Sequence, residues 1–136
     1  MAGLGISSQS IGLLHAGGFF AAGFLFFGFN AMFRPRAGLE IFEFERPKDA
    51  EAQKLVDGLV ILYGARDVYM GATVAIAWYL ANRTILGWSL VVGSGVVFVD
   101  GIVNNMVIGR GQWKHWGYAP VMGAVGAALL GLADHL

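Results

Sequence analysis

Asp67 and Asp100 stand inside apolar stretches long enough to cross a bilayer, and Arg66 stands beside the first. At membrane depth each ionisable group costs roughly 2.5–3.5 kcal/mol to insert. The chain has 136 residues, nine of them acidic and nine basic, so three charges at that depth need a shared reason. If Arg66 is cationic and both carboxyls are ionised, a net negative charge remains in low dielectric. A trio of one arginine, one carboxylate and one carboxylic acid is neutral and cheaper. Such a trio sets an acid beside a base, which is the pairing that general acid–base catalysis needs. The competing reading is a structural ion pair, Arg66 with one aspartate, that joins two helices and does no chemistry. A second aspartate with asparagines at the same depth favours the functional reading.

Other polar residues fall at related positions. Tyr63 lies four residues before Asp67, and Asn104 four after Asp100, so each pair shares a helix face. Arg66 is about 100° around the helix from Asp67, so both reach a common interior from its edges. Asn105, Asn30 and His115 fall in the same half of the membrane and complete the candidate set. Asp67, Asp100 and Arg66 are the expected catalytic group, and Tyr63, Asn104, Asn105, Asn30 and His115 the expected substrate-binding group. His15 is expected to satisfy a local hydrogen bond. Neither His15 nor His115 has metal-ligand spacing with carboxylates, and no metal site or cofactor is expected.

The elements that must position these residues follow from composition. Hydrophobic residues make up 57% of the chain and charged residues 13%, about half the charged fraction of soluble domains. The absence of cysteine excludes disulfides and thiolate chemistry. A net charge of zero leaves no basic footprint for nucleic acid. Four apolar stretches, about 11–33, 55–80, 85–108 and 116–132, predict four membrane-crossing helices, the last of them short. The expected fold is all-α, an integral membrane four-helix bundle forming one domain over 1–136. The first ten residues lack Lys and Arg, so the first stretch is expected to be retained rather than cleaved as a signal. Many of the 21 glycines fall inside the stretches and form small-residue faces for close helix packing.

Seven basic residues (Arg34, Arg36, Arg46, Lys48, Lys54, Arg110 and Lys114) lie on the side of the loop 34–54, against Arg83 on the other. That asymmetry predicts a cytoplasmic loop and termini outside or in a lumen. Trp and Tyr near the segment ends read first as interfacial belts. The loop mixes acidic and aromatic side chains over 40–45; it reads as an interfacial connector, with a lid over the bundle mouth as the alternative.

With these residues in hand, the chain resembles a family of small four-helix integral membrane proteins, most of them catalogued only as a domain of unknown function. The resemblance rests on Gly64-Ala65-Arg66-Asp67 followed by Gly71, on Asp100 late in the third segment, and on His115 before the fourth. It implies a cofactor-independent enzyme, since some fungal members belong to secondary-metabolite pathways that open, cyclise or rearrange epoxides. Soluble enzymes of such chemistry also use an Asp, Arg, Asp grouping, by analogy only. For a fungal protein the implied location is the endoplasmic reticulum.

The expected reaction is acid-assisted opening of a lipophilic epoxide that arrives from the membrane. One protonated aspartate, Asp67 as the deeper, donates to the epoxide oxygen, and the ionised one takes a proton from water or an internal hydroxyl. Hydrolysis, cyclisation and rearrangement all remain open at this point. Expected partners are the lipophilic substrate and membrane lipid, with a homo-oligomer left open. The alternative from another class is a non-enzymatic carrier subunit, lipid-binding module or scaffold.

Overall fold

The computed structural model describes residues 7–135. Among them the secondary structure is helical, and three helices are long and apolar enough to cross a membrane. The first, α1 (Ile11–Phe33), starts where the Ser10 side chain accepts a hydrogen bond from the Leu13 N–H. It stops before Pro35, which pushes Arg34 out of the helical region to φ −138°. A seven-residue helix, α2 (Pro35–Ile41), follows with proline in its first turn, so part of the expected loop 34–54 is helical.

The second long helix, α3 (Ala50–Tyr79), begins five residues before the apolar stretch does. Asp49 caps it by accepting from the Ala52 N–H at 2.8 Å. Hydropathy marks the membrane-compatible part of a helix, whereas the cap sets where its backbone begins. After a tight turn, α4 (Arg83–Ile108) is capped by Asn82 and ends at Gly109, whose φ of +67° closes the helix in the left-handed conformation.

The fourth expected crossing, 116–132, is not one helix. It is divided into α5 (Gln112–Trp116) and α6 (Ala119–Leu129), followed by a 3-10 turn over Leu132–His135. Gly117 and Tyr118 keep right-handed helical dihedrals between the two. Pro120, however, has no N–H to give to the Trp116 carbonyl four residues back, and the hydrogen-bond ladder breaks there. At ~1.5 Å of rise per residue α6 extends only about 16 Å, roughly half of a bilayer's hydrocarbon.

The helices pair antiparallel. α1 lies along α3 so closely that a Cβ on Gly64 would stand 2.6 Å from the Gly28 carbonyl oxygen. α6 lies along α4 in the same way, with Gly126 against the Gly87 carbonyl. The core between the pairs is built from Phe20, Phe24, Val74, Leu90, Val97 and Met122. Large apolar side chains such as Phe19, Phe26, Val92 and Met106 face outward, which suits a lipid surround. Trp78 covers Gly18 and donates to His15 Nδ1 at 3.2 Å, while Trp116 covers Gly101 and donates to the Phe98 carbonyl. These two indoles therefore pack between helices as well as standing near segment ends.

A buried Asp–Arg–Asp site under a loop cap

α3 and α4 bring the two aspartates to one guanidinium. Arg66 Nη1 and Nη2 donate to the two oxygens of Asp100 at 3.0 and 2.9 Å. Its Nη2 and Nε also donate to Asp67 Oδ1 at 3.0 and 3.3 Å. Asp100 is thus held by a two-point fork, and Asp67 through a single oxygen. The Tyr63 ring lies under the guanidinium, 4.2 Å from its central carbon, a cation–π contact. Asp67 and Asp100 are 3% and 9% exposed. Arg66 is 36% exposed along its side chain and borders a second, shallower groove between α3 and α4. The expected convergence of the trio is therefore what the helices produce.

Asp67 and Asp100 both line one cavity of about 410 Å³, within the size range of small-molecule sites. Its walls are apolar where α1 supplies Phe24, Phe27 and Ala31 and α4 supplies Val97. The polar groups of the wall are Tyr63, the two carboxyls, Lys114, His115 and Tyr118. Gly23 and Gly38 are also on the wall; a Cβ on Gly23 would stand 3.1 Å from the Tyr118 hydroxyl, and one on Gly38 would stand 2.9 Å from Val60.

The remaining candidates divide. His115, on α5, is 9% exposed and belongs to the cavity wall. Burial pushes its imidazole below the usual histidine range; the Asp100 carboxylate opposes that shift, while Lys114 and Arg66 add to it. Asn104 is fully buried, but it stands behind the cavity: its Nδ2 donates to the Phe42 carbonyl at 3.2 Å. Asn105 is exposed and Asn30 lies by a separate surface depression with Phe26 and Phe33, so neither belongs to the site. Asn105 follows Asn104 by one residue, and about 100° of helical rotation turns it outward. Asn30 shares the depth of the site but not its face of α1. His15 makes its local hydrogen bond with Trp78, outside the cavity.

The sequence marked Phe42 and Glu43 within the mixed acid and aromatic run 40–45 but gave neither a partner. Phe42 stacks on His115 with ring centroids 5.1 Å apart and meets Tyr63 edge-on at 4.8 Å. Glu43, in the left-handed conformation at φ +61°, pairs with Lys114 at 2.5 Å and Arg110 at 3.3 Å. The hydrogen bond and charge of Lys114 hold the Glu43 carboxyl below its ordinary range. Arg46 pairs with Asp57 at 3.2 Å and ties the end of the segment to α3. The segment after α2 is thus a cap over the cavity end, the alternative rather than the leading reading of this loop. The signal available was the alternation of Phe42 and Phe44 with Glu43 and Glu45, facing Arg110 and Lys114 on the next turn.

The fold and site define an all-helical protein with three helices suited to a membrane and a buried Asp–Arg–Asp cluster on an apolar cavity. Residues 21–129 match the model of a family described as Domain of unknown function (DUF4267), and the chain belongs to that family. The match spans every residue of the cluster. Comparison with curated proteins and with solved structures gives no match.

Proposed function

We propose that this protein is a membrane-embedded acid/base enzyme that opens a lipophilic epoxide. The observation that carries the reading is the bridging of Asp67 and Asp100 by one arginine on the wall of a shared apolar cavity. Arg66 donates to both oxygens of Asp100, which fixes that carboxyl in place. It engages Asp67 through Oδ1 alone, leaving Oδ2 to carry the proton of an acid. Asp67 then donates to the epoxide oxygen, Arg66 and Asp100 hold the charge balance, and the attacking hydroxyl loses its proton to a base on the cavity wall. Tyr63, beside both Arg66 and Asp67, orients the epoxide oxygen. The apolar walls favour a substrate drawn from the bilayer, and the resemblance to fungal epoxide-processing relatives points to secondary-metabolite biosynthesis.

In this reading α1, α3, α4 and the broken α5–α6 unit form the four-helix membrane domain. The segment 34–54 faces the cytoplasm, on the excess of basic residues there; in a fungal cell the membrane is that of the endoplasmic reticulum. Homo-oligomers are compatible with it.

A second reading has its own support. Four hydrogen bonds from one guanidinium to two carboxylates are also what a purely structural staple between α3 and α4 would make, in a scaffold, carrier subunit or lipid-binding module. Turnover of lipophilic epoxides by the protein in lipid nanodiscs separates the two. Loss of at least about 100-fold in Asp67→Asn and Asp100→Asn, with folding intact, supports the enzyme. Wild-type-like turnover in both variants removes it, and unfolding of both favours the staple.

A further inference from the structure

A carboxylate whose two oxygens are both forked by an arginine has one lone pair on each oxygen engaged, which leaves it a less open acceptor for a ligand hydroxyl. Asp100 is in that position. If Asp67 is the acid, a base not already engaged with Arg66 has to come from elsewhere on the cavity wall.

His115 meets the requirement. It is nine-tenths buried and lines the cavity with the two aspartates. Its Nε2 is buried and has no hydrogen-bond partner among the described residues, although buried polar atoms of native structures are nearly always paired. A fixed imidazole on the cavity wall, with a nitrogen that no described residue engages, calls for a further partner. The ring is held in place by its stack on Phe42, which is itself pinned by Asn104 through its carbonyl.

We propose that His115 is a catalytic residue that accepts, at Nε2, a hydrogen bond from a ligand hydroxyl in the cavity and takes that proton during epoxide opening. The second half rests on the epoxide reading given above; the first does not. In the reaction the hydroxyl oxygen, of water or of the substrate, forms a bond to an epoxide carbon and releases its proton to His115. The carbon–oxygen bond of the epoxide breaks, and its oxygen takes the proton of Asp67. The imidazolium then returns its proton to the Asp67 carboxylate, so the cycle is balanced and needs no co-reactant.

The charges around His115 fit this step. Asp100 on α4 favours the imidazolium as it forms; Arg66 on α3 and Lys114 on α5 oppose it. Asp67 and Tyr63 on α3 and Tyr118 after α5 complete the titratable wall, while α1 and α2 contribute only apolar residues and glycine. Glu43 of the capping segment is engaged with Lys114 and Arg110.

The test has two arms on the full chain in lipid nanodiscs. The first uses His15→Gln/His135→Gln protein, in which His115 is the remaining histidine, labelled with nitrogen-15. Dodecan-1-ol is expected to shift the Nε2 resonance and dodecane to leave it in place; equal response to both, or none to either, overturns the hydroxyl contact. The second arm compares epoxide turnover. His115→Gln is expected to lower kcat by roughly 100-fold or more, leave KM within about threefold, and abolish the fall of kcat/KM at acid pH. Turnover within about threefold of wild type with that acid limb kept overturns the proton-accepting role, provided that Asp67→Asn is inactive. If the wild type opens no epoxide, the functional reading and the proton-accepting role fall together, and the spectral arm decides the hydroxyl contact by itself.

Discussion

Arg66→Gln isolates the physics on which the site depends. The substitution keeps a polar side chain, though a shorter one, and removes the cation between two carboxyls that are 3% and 9% exposed. Four charged hydrogen bonds disappear. Breaking a buried ion pair by removing one partner costs about 3–5 kcal/mol, because the other charge is left uncompensated. The lower end, about 3 kcal/mol, applies here, since the Arg66 side chain is 36% exposed and one stranded carboxyl can take up a proton. Asp100→Asn in the Arg66→Gln background should recover part of that loss, with a coupling of about 2 kcal/mol in the double-mutant cycle. Unfolding by sodium dodecyl sulfate in mixed micelles, followed by tryptophan fluorescence, measures all four proteins. A cost below about 1 kcal/mol for Arg66→Gln, or a cycle that closes additively, would show that the three side chains are not energetically joined.

Packing and protonation set three further outcomes. Gly64→Ala should cost about 1–3 kcal/mol in the same assay, because its Cβ would meet the Gly28 carbonyl at 2.6 Å and the Met32 nitrogen at 2.9 Å, backbone atoms that no rotamer can move. Gly95→Ala, with nothing within 4 Å, should be neutral or stabilising by up to about 1 kcal/mol through helix propensity. For His115, burial lowers the affinity for a proton in the folded state. The unfolded chain therefore binds the proton first: its contribution to stability is complete above the unfolded pKa of about 6.5 and is lost as pH falls through the folded value. The wild-type melting temperature should drop more than that of His115→Phe between about pH 7.5 and 5; parallel curves would contradict the burial argument.

The three long helices were legible in the chain because crossing a membrane is a local requirement of length and apolarity. The depth of Asp67 and Asp100 was legible for the same reason, since position within a straight helix converts directly to height. The capping segment was less so. Whether Phe42 lies on lipid or on His115 depends on a chain reversal with Glu43 in a left-handed conformation, and the residue types alone permit both. The interruption at Pro120 was visible as a residue, but an apolar window averages over it, so 116–132 read as one crossing.

Sequence by itself determined the class of element, the height of each polar group along its helix, and the pairs that share a face through four-residue spacing. Tertiary structure decided which of those groups face one another, because helix rotation and the antiparallel pairing of α1 with α3 and α4 with α6 are long-range properties. They turned His115 toward the aspartates, left Asn105 and Asn30 outside, and let one arginine reach carboxylates 33 residues apart in sequence. Spacing along a chain gives height and angle on one helix; only packing between helices brings two such angles to a common point.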